Sequence, residues 1–164
     1  MKLFYRIRPE DKKDCVRIQS LVRYDTLSII HQDSILSSSN MFTIARGSKK
    51  FDIIQFEDSL NFAISERVKK LLTENSVTGW NSFPVIIKGI KESYHAFQNL
   101  SKAGPILNLE AINNYESENR EFDISTWDGS DVFNLEGTLL NVITPRVKEI
   151  LENAHVTNLE IFRL

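Results

Sequence analysis

Ile64-Ser-Glu-Arg-Val-Lys-Lys-Leu-Leu72, followed by Val77-Thr78, and Ile143-Thr-Pro-Arg-Val-Lys-Glu-Ile-Leu151, followed by Val156-Thr157, say nearly the same thing at two places in a chain of 164 residues. Displacing the sequence on itself by 79 positions (131 − 52) aligns Asp52–Val85 with Asp131–Leu164 without a gap. Ser65 and Thr144 stand where a side-chain oxygen accepts from the first free amides of a helix, and Pro145 takes the first helical position, which tolerates proline best. Val68, Leu71 and Leu72, or Val147, Ile150 and Leu151, then recur at i, i+3 and i+4 and build one apolar stripe, with Arg67/Arg146 and Lys69/Lys148 off it. Burying each such side chain contributes about 1.5–3 kcal/mol. Helices this short are marginal in isolation, so both are expected to form only when packed.

Ahead of each helix lies a short β-rich run, Asp52–Phe56 or Asp131–Leu135, led by an aspartate and followed by Glu57 or Glu136. Behind each helix come Val-Thr-Gly79 and Val-Thr-Asn158, ending in the two residues that most readily take a left-handed turn. Phe83 and Val85, matched by Phe162 and Leu164, then alternate as in a strand. Glu74-Asn75 and Glu152-Asn153 fall one position out of register, which predicts a second helix one residue shorter than the first. The unit reads as strand, helix, strand, used twice.

Outside the units the pattern is mostly β. Leu3, Tyr5 and Ile7 alternate in residues 2–8, and Pro9 ends that strand because it has no amide hydrogen to donate. Cys15 to Tyr24 predicts a second strand, with Val16, Ile18 and Val22 on one face and Arg17, Gln19 and Arg23 on the other. Leu27, Ile29 and Ile30 fit strand or short helix, Ser37–Asn40 a loop, and Met41–Ala45 another strand. Phe83–Ile90 predicts a strong strand with Pro84 tolerated at an edge. Tyr94–Phe97 and Ile106–Ile112 predict weaker ones around a Gly104-Pro105 turn, and the acidic Asn113–Asp123 an exposed loop or hairpin tip. The expectation is an α+β fold with mixed, mostly antiparallel sheets, two similar strand-helix-strand units and few helices. A single domain would span 1–164: N-terminal strands in 1–50, the first unit in 52–85, strands and an acidic loop in 86–130, and the second unit in 131–164.

Composition is that of a soluble globular chain, with 41% apolar and 26% charged residues. Apolar runs such as Val85-Ile86-Ile87 fall far short of the roughly 20 residues that span a bilayer. The N-terminus has no continuous hydrophobic stretch of a secretory signal, and the lone Cys15 rules out an internal disulfide, so the cytoplasm is expected. Net charge is −2 but polarised: residues 1–50 hold ten Lys/Arg against five Asp/Glu, and 103–145 hold eight Asp/Glu against Arg120 alone. Either the two segments pair with each other or the acidic one faces a basic partner and steers its approach.

No motif of catalysis or cofactor binding is found. His31, His95 and His155 lack metal-ligand spacing, and the six glycines form no phosphate loop. Cys15 reads as a buried thiol, and Ser65 and Thr144 as caps. The repeated Asp52/Asp131 and Glu57/Glu136 are of a type that does acid/base work, but duplication explains them, and carboxylates that open a structural unit commonly bond nearby amides. Trp80 and Trp127-Asp128-Gly129 sit in turn-like contexts, with core packing the leading reading and a binding hot spot the other. A modest basic excess and a pI of 5.9 argue against nucleic acid.

Asp-Ile-Ile, then Ile-Ser-Glu-Arg-Val-Lys-Lys-Leu-Leu, then Val-Thr-Gly-Trp and an apolar strand, resembles the helix-strand signature of a bacterial immunity-protein family of polymorphic toxin systems, the eleventh of the usual series. The similarity covers roughly residues 40–164 and rests on packing motifs. It implies a small cytoplasmic protein without cofactor, metal or catalysis, which binds and neutralises a cognate toxin encoded beside it, without contacting nucleic acid or membrane. If that toxin is a basic nuclease, the contact is expected in the acidic segment, at Glu116, Glu118, Glu121, Asp123, Trp127 and Asp128. A small enzyme with a site of scattered carboxylates, or a structural scaffold subunit, is the alternative.

Overall fold

The computed structural model describes residues 3–23, 41–58, 60–108 and 120–164. Its elements in order are β1 (Tyr5–Pro9), β2 (Arg17–Ser20), β3 (Met41–Arg46), β4 (Ile53–Phe56), β5 (Phe62–Ser65), α1 (Glu66–Glu74), β6 (Trp80–Ile87), β7 (Tyr94–Asn99), β8 (Lys102–Ala103), β9 (Val132–Leu135), β10 (Asn141–Ile143), α2 (Pro145–Asn153) and β11 (Leu159–Arg163), with a 3-10 turn at Ile124–Thr126 between β8 and β9. Two mixed sheets and two short helices make this an α+β fold. One sheet closes into a six-stranded barrel in the order β2-β3-β6-β7-β5-β4, and the other is an open five-stranded sheet in the order β11-β1-β10-β9-β8.

The 79-residue repeat governs both. Pairing of Ile53 with Ile64 and of Ile54 with Ala63 in the β4–β5 hairpin is repeated by Val132 with Ile143 and Phe133 with Val142 in β9–β10. Each unit thus carries a further strand, Phe62–Ser65 or Asn141–Ile143, running directly into its helix. Both helices have nine residues in the same register, which corrects the expected shortening of the second. Each closes with a Schellman turn through a left-handed Ser76 or His155. Val77 N donates to Leu72 O at 3.0 Å and Val156 N to Leu151 O at 3.2 Å. Gly79 and Asn158 are left-handed as expected, with φ of 83° and 62°. At Gly79 no side chain fits, since a Cβ would stand 2.0 Å from the carbonyl oxygen of Val132.

The repeat extends further than the sequence displays. In the barrel, β7 lies between β5 and β6, with Ala96 opposite Ala63 and Phe83. In the open sheet, β1 lies between β10 and β11, with Arg6 opposite Val142 and Phe162. Because 63 + 79 = 142 and 83 + 79 = 162, β1 and β7 occupy equivalent places. Likewise β2 pairs parallel with β4 (Ile18 with Phe56) as β8 pairs with β9 (Ala103 with Leu135). The chain is therefore two copies of one pattern, β1-β2…β4-β5-α1-β6 and β7-β8…β9-β10-α2-β11, which exchange their first strands. Among the described residues only β3 lacks a counterpart. It joins β2 to β6 and closes the barrel, whereas β8 and β11 remain the edges of the other sheet.

Three apolar clusters follow from this symmetry. Ile18, Ile54, Phe56, Ala63 and Val85 fill the barrel, and their mates Ala103, Phe133, Leu135, Val142 and Leu164 line the open sheet. Between the lobes sits a shared cluster of mated pairs: Ile53/Val132, Ile64/Ile143, Val68/Val147, Leu72/Leu151 and Phe97/Ile7. The helical stripes read from sequence bury their Val and second Leu here, at 1–4% exposure. Pro9 is the last residue of β1, as expected. Val22, expected beside Val16 and Ile18, is 45% exposed because β2 ends at Ser20. Tyr94–Phe97, expected to be a weak strand, belongs to β7, which is buried throughout in the barrel wall between β5 and β6. The readings of Leu27–Ile30 and Ser37–Asn40 lie outside the described residues, as does most of Ile106–Ile112 and Asn113–Asp123. Of those segments Ile106 forms a single bridge to Phe122.

Leu72→Ala and Leu151→Ala are each expected to cost about 2–5 kcal/mol, measured by chemical denaturation. Because the two side chains share one cluster, their double variant should depart from additivity by about 0.5 kcal/mol or more.

Candidate functional site

The repeated aspartates are heavily bonded carboxylates. Asp52 Oδ1 accepts from Ser65 Oγ at 2.8 Å and Arg67 Nε at 3.1 Å, and its Oδ2 accepts from Arg67 Nη2 at 2.5 Å and from the amide and hydroxyl of Thr157 at 3.0 Å each. Asp131 repeats the pattern with Thr144 Oγ1 at 3.1 Å, Arg146 Nη1 at 2.7 Å and the amide and hydroxyl of Thr78 at 3.1 and 3.4 Å. Each arginine also crosses over: Arg67 Nη1 donates to Ala154 O at 2.9 Å, and Arg146 to Asn75 O. Every partner is mated at the 79-residue offset, the two helix-end carbonyls included, since 75 + 79 = 154. The carboxylate of one unit thus binds the helix exit of the other, and that exchange repeats across the pseudo-twofold axis.

The two caps differ. Ser65 Oγ accepts from Val68 N at 3.3 Å while donating to Asp52, so it caps as expected. Thr144 holds the N-cap position without a side-chain cap bond, its hydroxyl being turned to Asp131. Burial raises the Asp52 pKa, but the bonds from Arg67, Thr157 and Ser65 outweigh it and hold the carboxyl below the ordinary range. Such a site is an anchor in which every lone pair has a donor. Cys15 is a buried thiol whose Sγ accepts from Asn158 Nδ2 at 3.1 Å, and burial pushes its pKa up. No group of three His, Cys, Asp or Glu side chains suited to a metal occurs among the described residues.

Glu116 and Glu118 lie outside the described residues. The other expected contact residues fall on one short stretch. Glu121 is exposed on a ribbon that Leu107 joins, Leu107 N donating to Glu121 O at 2.7 Å. Asp123 caps the 3-10 turn by accepting from Ser125 N and Oγ at 3.0 and 2.6 Å, which holds its carboxyl below the ordinary range. Asp128 accepts from Ser130 N at 2.9 Å and Ser101 Oγ at 3.0 Å. Trp127 packs edge-on to Phe4 at 5.2 Å with its Nε1 donating to Ser130 O at 3.0 Å, and Trp80 stacks on Phe97 at 5.9 Å. Both tryptophans are partly buried and pack against the core clusters. Leu107 and Ile124 stand 60% and 45% exposed beside these acids.

A second feature escaped the sequence. A cleft of about 380 Å³ opens where the β4–β5 and β9–β10 turns approach β1. Its lining includes Arg6, Arg8 and Arg120, with Gln55, Leu60 and Leu140. Arg6 and Arg120 are each only 6% exposed. The guanidinium carbons of Arg6 and Arg8 stand over the Phe162 ring, 4.6 and 4.7 Å from its centroid, and Arg8 Nε bonds Glu160 at 2.7 Å. Arg6 and Arg8 looked like the solvent side of an alternating strand, and Arg120 like part of an exposed acidic loop. The signal that finds them is register, because Arg6 occupies the place of the buried Ala96.

Asp52→Asn and Asp131→Asn are expected to destabilise by about 2 kcal/mol each at neutral pH. For Asp52 the folded pKa is depressed, so its contribution is present above the unfolded value and disappears as pH falls through the folded one. Denaturation midpoints of Asp52→Asn should accordingly converge on those of the parent at acid pH.

No protein-family model matches this chain, and no curated protein is significantly similar to it. The resemblance to the immunity family therefore stands on the quoted residues of the repeat alone, and those residues make the crossed anchor and the shared core.

Proposed function

We propose that the chain is a non-enzymatic immunity protein that binds a cognate toxin encoded nearby in the cytoplasm and neutralises it by occlusion. The observation that supports this reading is the ribbon of 105–108 with 120–123 and the turn at 123–128. There Leu107 and Ile124 present apolar surface next to Glu121, and Asp123 and Asp128 are fixed by their own turns. Apolar centres within a polar rim are the usual anatomy of a protein interface. Carboxylates held before binding lose little freedom on association, and an acidic rim speeds the approach of a basic partner. No helix among the described residues is long and apolar enough to cross a membrane, which agrees with a partner met in solution.

The enzyme alternative draws on scattered carboxylates, the repeated Asp52 and Asp131 among them. Their bonds to Ser65, Thr144, the two arginines and the two threonines give them a structural task. A scaffold subunit would need an extended self-complementary face. The neighbouring reading frame separates these classes, since a large secreted or contact-dependent toxin supports immunity and a metabolic operon opposes it.

Co-expression with that neighbour is expected to restore growth and yield a complex, and absence of both contradicts the reading. Glu121→Lys combined with Ile124→Asp, both at exposed positions, is expected to weaken the complex at least about tenfold and to reduce its salt dependence. Unchanged affinity and salt response in a calorimetric titration would place the contact elsewhere.

A further inference from the structure

The lobes share one register, so each serves as the control for the other. The barrel keeps Ala96 and Gln98 at the positions that Arg6 and Arg8 hold in the open sheet. Burying a guanidinium, as at Arg6 though not at the exposed Arg8, is expensive, and apolar residues of similar volume usually serve stability as well or better. The barrel shows that this fold has no need of an arginine there. A third guanidinium, Arg120, is brought to the same cleft from the connection between β8 and β9, and no Asp or Glu is among the described residues that line it.

We propose that this cleft binds a small organic anion, a carboxylate or phosphate monoester carried on an apolar body. Its volume of about 380 Å³ falls within the roughly 300–1,000 Å³ of small-ligand sites. Arginine forks match carboxylate and phosphate oxygens in pairs, which a single ammonium does not. Arg6 and Arg120 have contacts within the protein as well. The guanidinium groups of Arg6 and Arg8 stand over the Phe162 ring, which restrains both. Leu60, Leu140 and Ile106 supply an apolar wall for the body of the ligand, and Leu139, 43% exposed, stands at the rim.

An independent observation points the same way. Gln55 lines the cleft, and its Oε1 is buried without a hydrogen-bond partner. A buried polar atom left unpaired costs about 1–3 kcal/mol. Oε1 is an acceptor, so a ligand hydroxyl or the proton of a singly protonated phosphate monoester relieves that cost. The inference goes beyond the toxin reading and does not rest on it, because the acidic ribbon is a separate surface.

The test is a titration of the full chain with phenyl phosphate and with benzoate, followed by nuclear magnetic resonance of arginine Nε–H groups and of the amides of residues 6–8 and 137–141. Benzyl alcohol and chloride at equal ionic strength are the controls. Saturable shifts with either anion and none with the controls are expected. Leu139→Asp, which adds a negative charge at the rim without touching the core, should weaken binding at least about fivefold, and Arg8→Gln at least about tenfold. Should Arg8→Gln fail to fold, Leu139→Asp alone decides. Absence of saturation up to about 10 mM, equal response to benzyl alcohol, or unchanged affinity in the folded variants overturns the proposal.

Discussion

Everything in this molecule depends on a reciprocal exchange between its two halves. Asp52 binds the helix exit of the second unit, Asp131 binds that of the first, and β1 and β7 are each placed in the other unit's sheet. The exchange is isologous in the manner of a twofold dimer, except that one covalent chain supplies both sides. Its core is the cluster of mated pairs between the helices, where Val68 and Val147 are each 1% exposed. The carboxylates do not supply most of the stability. Their role is to fix the register at which two apolar stripes meet, since a carboxylate with four or five donors has one satisfactory position.

Duplication then leaves room for difference. In one lobe β3 closes a barrel around Phe42 and Phe56, whose rings lie 4.9 Å apart. In the other the sheet stays open, and Phe4, Phe122, Trp127 and Phe133 cover part of its face. Where the copies agree they build architecture. Where they depart lie the two features with exposed chemistry, the acidic ribbon of the open lobe and the arginine-lined cleft, to which Gln55, Leu60 and Phe62 of the barrel also contribute. A fold whose interior is shared by two halves can let one half diverge at its surface while the other keeps the interface in register.

Much of this was legible locally. The helices, their apolar stripes and the left-handed Gly79 and Asn158 follow from patterns within a few residues, and those patterns decide backbone conformation directly. The strands Phe62–Ser65 and Asn141–Ile143 were missed because each runs without a break into a helix cap, so the period changes with no turn residue to mark it. Thr144 sits at a cap but bonds Asp131, a choice set by a side chain thirteen positions away. The exchange of β1 and β7 was not legible at all. Alternation gives a strand's faces and says nothing of its neighbours, and Tyr5 pairs with Arg163 from the opposite end of the chain. Arg6 and Arg120 illustrate the same gap, since both look solvent-facing until the register and the β8–β9 connection bury them.

Native-state hydrogen exchange on the amides of β1 and β7 tests the interlocked architecture most directly. An exchanged strand cannot leave its sheet without opening the cluster that both units share, so the slowest amides of β1 and of β7 should exchange with the same free energy, equal to that of global unfolding. Amides of β1 that exchange through a separate opening of clearly lower free energy, with β7 still protected, would contradict it.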